Sequence, residues 1–87
     1  MITNPMPMHP GEVLSSIYMS EMNLTQVGLA KLCKCTNAKV NEIVNKKRGI
    51  TAAFAITLET VLGTSAEMWV RMQAVYDLWE ARQKLAS

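Results

Sequence analysis

Three groups of residues in this 87-residue chain could do chemistry: the thiols of Cys33-Lys34-Cys35, the pair His9 and Glu12, and the amide- and cation-rich run TNAKVNEIVNKKR at 36–48. The thiols look like half of a zinc site. Zinc takes four ligands, however, and the only histidine, His9, is remote in sequence. His9 also lacks a nucleophile or base partner, and Glu12 is better placed to meet the positive end of a helix. No metal, cofactor or catalytic activity is therefore expected. Both cysteines fit as small core residues, and His9-Pro10 fits as a helix cap. With only two cysteines, one residue apart, no disulfide framework is expected, and a reduced, cytoplasmic setting is.

The third group is different in kind. Residues 31–48 hold six cations against Glu42 alone, while the rest of the chain holds three cations against six anions. The net charge of +2 hides this division. A basic block in an acidic remainder suits one surface for a polyanion and another surface for a different partner. Lysines that merely solvate a surface would give the same count, so the spacing has to decide.

That spacing is helical. Thr25 and Thr36 are good helix N-caps, and they predict helices over about 26–33 and 37–45 with a turn of roughly three residues between them. Two short helices joined this way are a helix-turn-helix. Leu29, Cys33, Cys35, Val40 and Ile43 should lock the pair, with Ala30 permitting a close crossing and Leu32 also inside. The second helix then turns Asn37, Ala38, Lys39, Asn41 and Glu42 outward. A DNA major groove admits one helix, and the N-terminal residues of that helix reach base edges. Asn37 can pair with adenine, Ala38 can touch a thymine methyl, and Lys39 can reach a guanine or a phosphate. Gln26 and Thr36 stand at helix starts that bind phosphates, while Lys46, Lys47 and Arg48 follow as a basic loop.

Around this unit, residues 1–10 read as an extended arm with Pro5, Pro7 and Pro10, followed by a domain over 11–87. A first helix is expected at about 11–22, with Val13, Leu14, Ile17 and Tyr18 on one face. A fourth is expected at about 52–62, between Thr51 and Gly63, and a fifth at about 66–84 after Ser65. Met19, Met22, Met68 and Met72 are expected as core filler. With no strand pattern, the fold class is all-α. No apolar run reaches the roughly 18 residues a membrane span needs, and the N-terminus lacks the features of a signal peptide.

The fifth helix, roughly 28 Å long, is too long to lie wholly on so small a globule. Its first half should pack on its own domain, and Val75, Tyr76, Leu78 and Trp79 of its second half should meet a two-fold mate. The alternative is a single core face that leaves Trp79 half exposed. A dimer is also what a helix-turn-helix needs, because two recognition helices must sit about one DNA turn apart.

The segments HPGEVL, LTQ followed by LAK, VNEIVNKKRGIT and LGTSAEMWVRMQAVYDLWEAR resemble the HigA-type antitoxins, also known as virulence-associated protein I. These belong to the Xre/Cro-like regulators with a five-helix, lambda-repressor-like domain. The resemblance spans about residues 9–82 and is most specific where HPGE is combined with the aromatic fifth helix. It implies a homodimer that binds an inverted-repeat operator in double-stranded DNA and represses its own operon. It further implies a partner: a small basic HigB/RelE-like toxin, a ribosome-dependent mRNA endonuclease, neutralised by binding. A stand-alone Xre-like regulator without a toxin and a pure protein-interaction module are the other readings. The chain departs from the family pattern at Lys34 and Lys46, where glycine is usual, and at Gly28, where a helix-favouring residue is usual.

Overall fold

The computed structural model describes residues 5–86, which form five helices and no strand. α1 opens as one α-turn over Pro10–Val13 and widens into a π-helical segment over Leu14–Met19. α2 spans Gln26–Cys33, α3 Asn37–Val44, α4 Ala52–Leu62 and α5 Ala66–Ala86. The all-α class and the helix-turn-helix order expected from the sequence are both present. Residues 1–4 of the expected arm lie outside the described residues, and residues 5–9 carry no helix. Among the described residues no helix is long and apolar enough to cross a membrane.

Hydroxyl caps start four of the helices. Thr25, Thr36 and Thr51 accept hydrogen bonds from the N–H groups of Gly28, Lys39 and Phe54 at 3.0–3.1 Å, and Ser65 accepts from Met68 N–H at 3.3 Å. Each bond satisfies a donor that the helix itself leaves unpaired.

α2 and α3 end alike, each with a lysine in the left-handed region: Lys34 at φ 55° and Lys46 at φ 64°. At the first corner Cys35 N–H donates to the Ala30 carbonyl (3.0 Å) and Lys34 N–H to Lys31 (3.2 Å). At the second, Lys47 N–H donates to Glu42 (2.8 Å) and Lys46 N–H to Ile43 (3.1 Å). These paired bonds form the Schellman ending that glycine normally completes. A side chain there costs about 1 kcal/mol, partly offset by an ammonium near the negative helix end.

The core gathers Leu14, Met19, Leu29, Ala30, Cys33, Val40, Ile43, Ile50, Phe54, Ala55, Leu58 and Trp69. Trp69 is fully buried at the base of α5, where its indole N–H donates to Thr64 Oγ1 at 2.7 Å and its ring meets Tyr18 at 5.4 Å. Three apolar expectations fail. Ile17 is exposed, whereas Met19 is buried as expected, because the i→i+5 spacing of the π segment aligns Leu14 with Met19. Ser15 and Ser16 hydroxyls donate to the Glu12 carbonyl there, competing with the α ladder. Met22 falls beyond this helix and is exposed, and Leu32 lies on the solvent side of α2.

Lys34→Gly relieves the left-handed strain at an exposed corner, so it should stabilise the fold by roughly 1 kcal/mol. For a domain of this size that raises the thermal midpoint by about 4–8 °C. A midpoint that stays put or drops would mean the corner is not strained.

Candidate nucleic-acid interface

The recognition helix α3 is held from two sides. Val40 and Ile43 are fully buried against α2 and the core, and Cys33 and Cys35 close the corner. Burial pushes the Cys33 thiol above its ordinary value, so it is a packing group rather than a reactive thiolate. Among the described residues no cluster of three or more histidines, cysteines and carboxylates could hold a metal.

The second hold comes from the start of α1. A Cβ at Gly11 would stand 1.8 Å from the Ile43 carbonyl oxygen, so only glycine lets α1 lie against the end of α3. His9 makes that start possible: its Nδ1 accepts from Gly11 N–H at 2.9 Å, Pro10 fills the first helical position, and the ring meets Tyr76 edge-on at 4.8 Å. Glu12 follows in the first turn and pairs with Lys46 at 3.4 Å. The HPGE motif is thus a clamp on the recognition helix.

On the outward side, Asn37, Ala38 and Asn41 are exposed, and Gln26 is half-buried at the start of α2. The structure brings Gln26 to Asn41 through a side-chain hydrogen bond of 3.1 Å. Thr36 uses its hydroxyl as the α3 cap. Lys39 is turned away from the others, its ammonium 4.6 Å above the Phe54 ring at the start of α4. In the basic loop Lys46, Lys47 and Arg48 are all exposed. Arg48 pairs with Glu42 at 2.8 Å and Lys46 with Glu12, whereas Lys47 makes no ion pair among the described residues.

Sequence reasoning missed Gln73. Its Oε1 accepts from Ile50 N–H at 2.8 Å and its Nε2 donates to Asp77 at 2.9 Å, while its amide packs on Gly49. One α5 side chain therefore pins the basic loop. Nothing in the local pattern marks it, because the path of the loop is a tertiary fact. The expected mate-facing set also needs correction. Tyr76 is buried within the chain against His9 and leaves that set. Val75 and Leu78 are exposed, and Trp79 is half-buried beside Pro5, Pro7, Val75 and Arg82. A stripe of Val70, Ala74, Leu78, Ala81 and Leu85 is open to solvent along α5.

A helix-turn-helix with an immobilised second helix and an open polar face defines a regulator of the Xre/Cro type. Relatives agree with that class. The chain is 43% identical to virulence-associated protein I of Dichelobacter nodosus, an alignment covering 92% of this chain and 75% of that protein. It is 30% identical to antitoxin HigA-1 of Vibrio cholerae, over 94% of this chain and 77% of the relative. The solved structure of Pseudomonas aeruginosa antitoxin HigA with the higBA promoter superposes with a TM-score of 0.87 and 37% identity, covering 90% of this chain and 85% of that one. No family model matches. The chain belongs to the HigA-type antitoxin family of helix-turn-helix regulators, whose members are antitoxins and transcriptional regulators rather than enzymes.

Burial pushes the His9 imidazole below its ordinary value near 6.5, against the opposing pull of Glu12 and Asp77. The unfolded chain takes up a proton near that value while the folded chain does not, so stability rises with pH across that window. The thermal midpoint should therefore fall as pH drops from neutral to below about 6.5. His9→Asn, which keeps a capping oxygen, should flatten that part of the profile; equal slopes in parent and variant would place the dependence elsewhere.

Proposed function

We propose that this protein is an autoregulatory antitoxin that binds operator DNA as a dimer and neutralises a small basic toxin. The observation that carries the DNA half is the exposed amide face of α3 on a helix whose opposite face is buried and clamped. Asn37 and Asn41 enter the major groove with Ala38 between them. Gln26, Thr36, Lys46, Lys47 and Arg48 flank the groove toward phosphates, and Lys39 approaches the backbone from over Phe54. Support for this reading comes from the P. aeruginosa relative, whose structure contains its promoter. Two chains are needed to span two half-sites. The open face of α5, with Val75, Leu78 and Trp79 and the stripe from Val70 to Leu85, is the surface we assign to the mate.

Lys47→Ala should weaken binding to all duplexes about equally and lower the salt slope by about 1, while Asn37→Ala should cost about 1–3 kcal/mol at one base position. Gel shifts on the upstream region across a salt series separate the two. Parent-like binding by both variants would exclude α3 as the DNA-facing element. Leu78→Asp should yield monomers by light scattering, and an unchanged dimer mass rejects the α5 interface. Co-expression with the small basic product of an adjacent gene tests the toxin half: a stable, inactive complex is expected, and a toxin left free and active contradicts it.

A further inference from the structure

Cys33-Lys34-Cys35 forms the corner between α2 and α3, and nothing in the DNA-binding reading uses its thiols. Both are free. Cys33 ends α2 and is buried, while Cys35, one residue before the α3 cap Thr36, is half-buried. The residue between them decides how they stand. Lys34 is left-handed, at φ 55° and ψ 44°. Such a turn has the mirror-image dimensions of an α-helix, which sets Cα atoms two residues apart at about 5.4 Å. Disulfides span roughly 4.4–6.8 Å between Cα atoms. An extended Lys34 would stretch the separation to about 6.6 Å and send the two side chains to opposite faces. Here both reach the same core: Cys33 belongs to it, and Cys35 packs against it. The bond from Cys35 N–H to the Ala30 carbonyl, at 3.0 Å, holds the corner in that shape.

The two sulfurs differ in access, and that orders the chemistry. Cys35 is the more open, and Lys31 and Lys34 are exposed beside it to attract an anionic low-molecular-weight disulfide such as oxidised glutathione. The Cys35 thiolate attacks one sulfur of that disulfide, forming a mixed disulfide and releasing one small thiol. Cys33, which burial makes the slower thiol to ionise, then attacks the Cys35 sulfur and releases the second small thiol. Two electrons pass from the protein dithiol to the oxidant, both thiol protons end on the two small thiols, and one new bond joins Cys33 to Cys35. To make that bond the Cys33 sulfur must turn toward Cys35. It thereby leaves the cluster it shares with Val40 and Ile43, the residues that anchor α3.

We infer that Cys33 and Cys35 are a site of reversible disulfide formation whose closure loosens α3, so that DNA binding by this protein responds to the thiol–disulfide balance around it. The disulfide itself follows from the corner; its effect on DNA rests on the DNA-binding reading above. In a reducing compartment such a bond is transient and redox-sensing, not structural. A ring closed across one intervening residue is strained, which keeps it easy to reduce.

The test equilibrates the full chain in reduced glutathione and in excess oxidised glutathione, then quenches with acid, alkylates with iodoacetamide and weighs the product by mass spectrometry. The reduced sample should carry two alkylated thiols. The oxidised sample should carry none, weigh two hydrogens less than the unalkylated reduced chain, and regain both thiols on return to reduced glutathione. Amide shifts across 36–48 should move on oxidation. Gel shifts on the upstream region should show affinity falling by about tenfold, the scale of one lost base contact. Cys33→Ala should stop at a glutathione adduct on Cys35, and Cys35→Ala should bind DNA equally in both buffers. An oxidised parent that keeps two free thiols, stops at a glutathione adduct or links two chains overturns the site. An internal disulfide that leaves the 36–48 shifts or the affinity unchanged overturns its hold on α3, as does an equal loss of binding in Cys35→Ala. A reduced parent that binds no duplex overturns the DNA-binding reading instead, and the disulfide and the 36–48 shifts then decide the inference by themselves.

Discussion

The contact between Gly11 and the Ile43 carbonyl is the constraint on which the rest of the structure turns. It brings the first turn of α1 against the last turn of α3 at a separation that no Cβ could occupy. A helix of eight residues has little stability of its own and takes its orientation from what it packs against. Here the buried side of α3 is filled by Val40 and Ile43, and its end is held by backbone. His9 matters through the same contact, since its ring nitrogen caps the turn that Gly11 belongs to. The residues that looked most catalytic in the sequence therefore serve to aim a helix.

The two lysine-ended corners extend that logic. A left-handed residue at the end of α2 turns the chain sharply into α3, and a second one at the end of α3 turns it into the basic loop. Glycine would be less strained at both places. Lysine instead adds a positive charge beside the helix meant for a polyanion, and Lys46 also closes an ion pair to Glu12 on the clamp. Both ion pairs of the loop are exposed, and such pairs contribute at most about 1 kcal/mol. Their use is to hold the loop cations near one place, with Gln73 fixing the backbone behind them.

Much of this was legible in the chain because the signals are local. Thr25, Thr36 and Thr51 each precede a helix and each caps it, and the apolar spacing of α2 and α3 placed Leu29, Val40 and Ile43 inside. The π segment was not legible: an α period put Ile17 inward, whereas the widened turn leaves it exposed. Tyr76 was read as part of an outward face because helix periodicity cannot tell a partner chain from the chain's own N-terminal turn, and His9 supplies the ring it packs on. Lys39 and Gln73 share that difficulty. Their roles depend on Phe54 and Ile50, residues brought near by tertiary structure and not by spacing.

The core claim is that DNA meets the protein along the start of α2, the outer edge of α3 and the loop that follows, with α5 facing away. Amide chemical-shift mapping, on adding a duplex from the protein's own upstream region, reads this directly. The largest changes are expected at Gln26 and across 36–48, with the α5 residues 77–86 little moved. Changes concentrated on α5 while residues 36–48 keep their free-state shifts would contradict the account.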